Sequence, residues 1–312
     1  VGTGDKALCT FAVAEQVEPV RIRTGVVEET GDYEFSVEQR GELAVRIDLS
    51  GRLYSHTLAD VARWWQAARP VPAVPRVARM PVYSTWYSMH QHVDAADVER
   101  QAELARDLGC ESIIVDDGWM TTDRSRGYGH TGAWEPAEET FPDMAGHVAR
   151  VRQGGLAYLL WYALPFVGKF SDVFQRLRPY TLRDVESMNA IVVDPRYPVV
   201  REYLVEKLAR AVEEWGMDGL KIDFIDQFAV EEPPEPGPEA DCASVTEGVR
   251  RVFEELDRRL RRAIEQPLIE FRQPYVSPGL WPYASMVRAG DCPLSASTNR
   301  RSTVDLRLVS AT

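Results

Sequence analysis

In this chain of 312 residues, the run GLKIDFI from Gly219 holds the side chains best suited to chemistry. Side chains alternate along a strand, so Lys221 and Asp223 share one face while Ile222 and Phe224 take the other. In a barrel the apolar pair would pack on helices and the charged pair would face the interior. A buried carboxylate without a partner is costly, and a neighbouring ammonium offsets its charge. An oriented carboxylate at a barrel mouth is what attack on an anomeric carbon requires. The same two residues also fit an inert ion pair.

Other polar residues fall where strand-like runs end. They are Trp86, Tyr87 and His90; Asp116, Asp117 and Trp119; Trp161; Arg272; and Arg288 with Asp291. In barrels the functional groups sit at those ends. Carboxylates and basic groups bind hydroxyls in pairs, and indole faces cover the apolar C–H side of a pyranose. The mixture therefore suits a sugar, although each tryptophan taken singly reads equally well as core. A competing chemistry comes from His90-Gln91-His92, whose H-x-H spacing resembles a metal-dependent barrel hydrolase. That reading needs further histidines from later strands. The chain has five, at positions 56, 90, 92, 130 and 147.

The elements that must position these groups follow from periodicity. Up to about Ser50 the chain shows short strand-like runs (LCTFAVAE, PVRIRTGVVEE, YEFSV, ELAVRIDL) with Gly31-Asp32 and Arg40-Gly41 as punctuation. They read as the end of an antiparallel β-sandwich over residues 1–57. Residues 58–79 read as a connecting helix (LADVARWWQAA) and a Pro-rich linker. From residue 80 to 312, apolar runs alternate with amphipathic helices, the signature of a parallel α/β sheet. Strands are expected at 81–88, 112–116, from 156, from 219, from 268 and from 285. The second helix starts at the cap Asp94, puts Val98, Ala102, Ala105 and Leu108 on one face, and ends at Gly109. Six strands fall short of the eight of a (β/α)8 TIM-type barrel. The final STVDLRLVS reads as an element beginning, so the last units are expected to be absent from this sequence. The loop EEPPEPGPE reads as a solvated insertion.

Composition narrows the partners. The net charge of −12, with no basic stripe, disfavours nucleic acid. No apolar run approaches a membrane span. The four cysteines lack CxxC spacing, which points to a reducing, cytoplasmic setting without a zinc module. No cofactor is implied. The expected partner is a small-molecule or oligosaccharide substrate, and a homo-oligomer stays open.

The ordered set DDGW (Asp116 to Trp119), the strand with Trp161, VVDPRYPVVREYL, GLKIDF and an R-x-x-D segment resembles the catalytic barrel of glycoside hydrolase family 36 α-galactosidases, whose clan includes families 27 and 31. The resemblance spans about residues 80–312. It implies Asp223 as nucleophile, Asp291 as general acid/base and Lys221 as a hydroxyl ligand. It implies that Asp116 and Asp117 hold the 4- and 6-hydroxyls of galactose, with Trp119 and Trp161 lining the pocket and a carboxyl separation of roughly 5–6 Å. The family's usual fifth-strand cysteine and glycines are replaced by EFRQPYVSP, so Arg272 is expected to take over sugar contacts. Arg288-Ala289-Gly290 stands where the family has Trp and Ser before the acid/base. Related α-glycosidase or galactosyl-transferring activities are the alternatives within the enzyme class.

Overall fold

Six parallel strands form the sheet that carries the candidate site. They are β1 (Val82–Ser84), β2 (Ser112–Val115), β3 (Ala157–Ala163), β4 (Gly219–Asp223), β5 (Leu268–Phe271) and β6 (Met286–Val287). Their order in space equals their order in the chain, β1 to β6, each pairing in parallel with the next. This is an α/β fold that matches consecutive strands of a TIM-type barrel. The computed structural model describes residues 1–14, 20–39, 41–125, 127–272, 279–288, 291 and 295–309. Parts of expected strands at 15, 19, 289 and 290, the turn residue at 40, the fifth-strand departure at 273–278 and the cysteine at 292 lie outside them.

Central strands buried on both faces read as near-continuous apolar runs; β2 and β3 do so, and β4 departs from the pattern at Lys221 and Asp223. Every residue of β2 and β4 is buried, including the polar Ser112, Lys221 and Asp223. Helices cover the outer face: α2 (Ala95–Asp107), α3 (Met144–Gln153), α4 (Pro198–Glu213) and α5 (Val245–Ala263) follow α1 (Tyr54–Ala68), and α6 (Ala296–Val309) comes last. The starts are locally encoded. Asp94 caps α2 by accepting the Asp97 N–H, Asp143 caps α3 through Gly146, and Ser244 caps α5 through Glu247. Pro198 opens α4, where a missing N–H costs nothing. Val200, Leu204, Leu208, Ala211 and Trp215 recur at helical spacing and are buried, and so are Val249, Phe253, Leu256 and Leu260. Leu108 is the exception at 85 % exposure, because it lies just past the end of α2 and the left-handed Gly109 turns the chain.

Three expectations shift, and one further run joins a second sheet. The helix α1 begins at Tyr54, four residues early. The first strand stops at Ser84, and Trp86–Met89 form a short helical turn instead of extended chain. β4 ends at Asp223, because Phe224 adopts φ 63°, so its ring leaves the strand alternation. The run IVVD belongs to a separate antiparallel sheet of Phe166–Gly168, Thr181–Val185 and Ala190–Val193, inserted after β3. Periodicity cannot reveal this sheet, since Phe166–Gly168 is three residues long and Ala190–Val193 is apolar throughout.

The N-terminal strands pair antiparallel as Thr10–Val13 with Val45–Asp48, and Val20–Val26 with Tyr33–Gln39. The Trp65 indole of α1 donates to the Val13 carbonyl at 2.7 Å and meets Trp281 edge-on at 5.6 Å, tying this region to the barrel. Cys9, Cys110 and Cys242 are free thiols. Among the described residues no helix is long and apolar enough to cross a membrane.

The DDGW turn leaves no room for a side chain at its glycine. Gly118 has φ 108°, and a Cβ there would lie 2.6 Å from the Gln91 carbonyl oxygen. Backbone, not a movable side chain, is what it would strike. Gly118→Ala is therefore expected to lower stability by about 2 kcal/mol or more. A urea unfolding midpoint indistinguishable from that of the parent would contradict this account.

Candidate active site

β4 delivers Lys221 and Asp223 to the barrel interior, as the alternation requires. Both are almost completely buried, while Ile222 packs outward with no exposure. The Lys221 ammonium bonds to Asp116 Oδ2 and lies 3.8 Å from Asp223 Oδ2. Asp223 receives further donors: the Trp161 indole N–H at 3.0 Å on Oδ2, and the Phe224 N–H at 2.8 Å and an Arg272 NH1 at 3.0 Å on Oδ1. The left-handed turn at Phe224 is what folds its N–H back onto Asp223. A carboxylate held from several sides keeps one orientation, which a nucleophile needs.

Asp116 and Asp117 follow β2. The Asp116 N–H donates to Thr85 Oγ1 at 3.0 Å, and Asp117 Oδ2 accepts the Gln91 amide at 2.7 Å. Burial pushes the Asp117 carboxyl up to about 7, helped by the charge of Asp116 and opposed by the Gln91 hydrogen bond and Lys221. Two adjacent carboxylates cannot both stay charged cheaply in a dry site, so one takes a proton.

On the opposite side, Asp291 Oδ1 accepts from the Tyr87 hydroxyl and from Arg288, each at 2.8 Å, and Oδ2 accepts from Arg272 Nε at 3.0 Å. Arg272 therefore bonds Asp223 and Asp291 with one planar guanidinium. Its charge also stands over the Phe224 ring at 5.3 Å. The Asp291 side chain is 34 % exposed against 5 % for Asp223, so only Asp291 is readily reached from solvent. Burial acts to raise the Asp291 carboxyl, but the Tyr87 hydrogen bond and the charges of Arg288 and Arg272 outweigh it and hold it below the usual carboxylate range. Tyr87 is driven upward by burial and by Asp291, so it remains a hydroxyl donor.

The tryptophans divide. Trp161 touches the site through its N–H on Asp223. Trp119 has no exposure, donates to the Trp161 carbonyl at 2.9 Å and packs among Trp134, Tyr162 and Trp215. It lies in the core behind the carboxylates. Trp86 is partly buried on the turn after β1, its ring 5.1 Å from His90 and perpendicular to it. His90 and His92 are exposed, and among the described residues no group of three or more His, Cys, Asp or Glu converges to hold a metal.

Two site residues escaped the sequence reading. Glu270, in register with Lys221 across β4 and β5, is buried and lies 3.2 Å from Arg288 Nε. Its signal was available: a lone acid inside LIEF, an otherwise apolar strand. Tyr128 stacks on Trp161 at 6.1 Å and meets Phe224 edge-on at 5.0 Å, from a loop with no periodic pattern to flag it.

A family model described as Melibiase matches residues 72–265. Alpha-galactosidase 2 of Pediococcus pentosaceus is 25 % identical over 158 residues, 48 % of this chain and 22 % of that protein. Among solved structures, a variant of GH36 α-galactosidase AgaA from Geobacillus stearothermophilus in complex with raffinose aligns with TM-score 0.73 at 17 % identity, covering 97 % of this chain and 45 % of that one. TtGalA, the α-galactosidase from Thermus thermophilus in complex with p-nitrophenyl α-D-galactopyranoside, aligns with TM-score 0.62 at 22 % identity, covering 91 % and 53 %. At these identities the structural match establishes the fold. The chain spans about half or less of the length of each of these proteins.

The raised Asp117 carboxyl gives a pH prediction. The folded state keeps a proton that the unfolded chain releases near pH 4, so this group's contribution to stability falls as pH rises from about 4 to about 7. The full loss is at most about 4 kcal/mol. Asp117→Asn removes the titration, and its stability is expected to vary less with pH than the parent's between pH 5 and 8. Parallel stability curves in urea would overturn the assignment.

Proposed function

The chain belongs to the Melibiase family, and on that premise we propose that it is a retaining α-glycoside hydrolase of the family 36 type, acting on terminal α-galactosides of oligosaccharides. The observation that carries this reading is the single Arg272 guanidinium bonded to both Asp223 and Asp291. Two carboxyls that share one cation front the same small space, as a two-carboxylate glycosidase mechanism requires. The relative found with raffinose supports an oligosaccharide as substrate. The same reading assigns residues 1–57 to a β-sandwich, 58–79 to the connection and 80–312 to the catalytic barrel.

In the proposed mechanism Asp291 donates its proton to the glycosidic oxygen as that bond breaks. Asp223 attacks the anomeric carbon, forming a glycosyl ester through an oxocarbenium-like transition state. Asp291 then takes a proton from water, the water oxygen bonds to the anomeric carbon, and the ester bond breaks to regenerate Asp223. Two inversions retain configuration, and the roughly 5–6 Å carboxyl separation of retaining enzymes is expected. Asp116, the protonated form of Asp117, and Lys221 offer both donors and acceptors to sugar hydroxyls. Trp161, Arg272, Arg288 and Trp86 complete the proposed binding set, and Trp119 supports Trp161 from the core.

Because the Tyr87 hydrogen bond and the two arginines hold Asp291 low, the fraction carrying the catalytic proton falls early as pH rises. The kcat/KM profile is expected to decline on the alkaline side with an optimum below neutrality. The direct test is a panel of aryl α-glycosides. Turnover of the α-galactoside should drop at least about 1000-fold in Asp223→Ala, and proton NMR should show the α-anomer of galactose released first. Full activity in Asp223→Ala, or release of the β-anomer, would sink the proposal.

A further inference from the structure

We propose that Glu270 is a positioning residue that fixes the acid/base Asp291 indirectly, by anchoring Arg288 from inside the barrel. The inference rests on the glycosidase reading for the role of Asp291, and the geometry stands apart from it. Arg288 reaches in two directions. Its Nε lies 3.2 Å from Glu270 Oε1, and its NH1 bonds Asp291 Oδ1 at 2.8 Å as well as the Tyr87 hydroxyl. The Arg288 side chain is only 20 % exposed, so water does little to hold it. An anchor at the Nε end is what stops a long, flexible side chain from surrendering its geometry at the NH1 end.

Among the described residues Glu270 makes no hydrogen bond or ion pair with Asp291, and Arg288 touches both. It is 3 % exposed, on β5, in register with Lys221 on β4. The charged groups acting on it are Lys221 and Asp223 of β4, Asp116 after β2 and Arg288 after β6. Asp291 in turn faces Tyr87, Arg288 and Arg272. Among the described residues neither Glu270 Oε1 nor Arg288 Nε has an aligned hydrogen-bond partner. Their contact is a charge contact, and a neutral residue that cannot accept would not reproduce it. Besides its place in the proposed binding set, its two carboxylate contacts make Arg288 a bracket between strands β5 and β6.

The test is a cycle of Glu270→Ala, Arg288→Ala and the double variant, with Glu270→Gln as the conservative replacement. Glu270→Ala should lower kcat on an aryl α-galactoside about 30-fold or more with KM within about threefold, and Glu270→Gln, which keeps the shape but not the charge, should recover little of that loss. Added to Arg288→Ala, Glu270→Ala should cost less than about threefold, since a residue acting only through Arg288 has nothing left to act on. A readout free of turnover is the titration of the Asp291 carboxyl, followed by carbon-13 NMR and assigned by its loss in Asp291→Asn. Its midpoint should move upward in Glu270→Ala and in Arg288→Ala, and no further in the double variant. If wild type fails to turn over any glycoside, the functional reading falls while this titration still decides the role of Glu270. An unmoved midpoint in Glu270→Ala, or losses that multiply in the double variant, would overturn the proposal. Should Glu270→Ala not fold, the same midpoint in Glu270→Gln decides it: an upward move like that of Arg288→Ala supports the role, and an unmoved midpoint overturns it.

Discussion

A lysine ammonium sealed inside the barrel is the constraint on which the rest of the site depends. Lys221 has almost no contact with solvent, and burying a lone ammonium costs several kcal/mol even after relaxation. Asp116 and Asp223 approach it from β2 and β4, so the ammonium and the carboxylates compensate one another. Without Lys221, Asp116 and Asp223 would face each other across a dry interior with no ammonium between them. Registration enforces the arrangement: parallel pairing sets Lys221 level with Trp161 on β3 and with Glu270 on β5. A one-residue slip of β4 would turn Lys221 and Asp223 toward the helices and Ile222 toward the mouth.

Two left-handed turns stand directly beside the same groups. Phe224 sits in the left-handed region directly after Asp223, and Gly118 takes φ 108° directly after Asp117. A left-handed non-glycine residue costs on the order of 1–3 kcal/mol. At Phe224 that cost is offset by its ring, which packs against Tyr128 and Phe166 at 5.0 Å each, and by its N–H on Asp223. At Gly118 the absence of a side chain removes the cost. Each device turns the chain sharply at a strand end, where a straight continuation would carry the carboxylate away from the mouth.

Much of this was legible in the residues because two periodicities are hard to counterfeit. Period two placed Lys221 and Asp223 on one face of β4, and period 3.6 marked the stripe of α2 that buries Val98, Ala102 and Ala105. What stayed hidden was mostly a matter of context. Glu270 is one acid in a four-residue strand, and nothing local says that its neighbours across the sheet are Lys221 and Arg288. Trp119 follows two carboxylates and reads as a sugar platform. Yet the turn at Gly118 sends its indole toward Trp134 and Trp215, where its N–H finds the Trp161 carbonyl. The inserted sheet after β3 is invisible because short apolar runs look alike in any sheet.

The two carboxylates are unequal, and that inequality suits sequential roles. Asp223 sits at the floor of the site with fixed donors, whereas Asp291 lies nearer solvent between two arginines. Under the proposed mechanism, Arg272 is divided at first between two negative groups, and the charge of Asp223 opposes loss of the Asp291 proton. Once Asp223 becomes an ester its charge is gone, and Arg272 and Arg288 act on Asp291 alone. Removing a nearby like charge lowers a carboxyl's affinity for its proton. Asp291 is thereby a better acid-form holder before attack and a more readily ionised group after it. The first half-reaction asks it to give a proton, and the second asks it to begin without one. A shared guanidinium couples that change to the formation of the covalent bond, so no movement of the backbone is needed to reset the site.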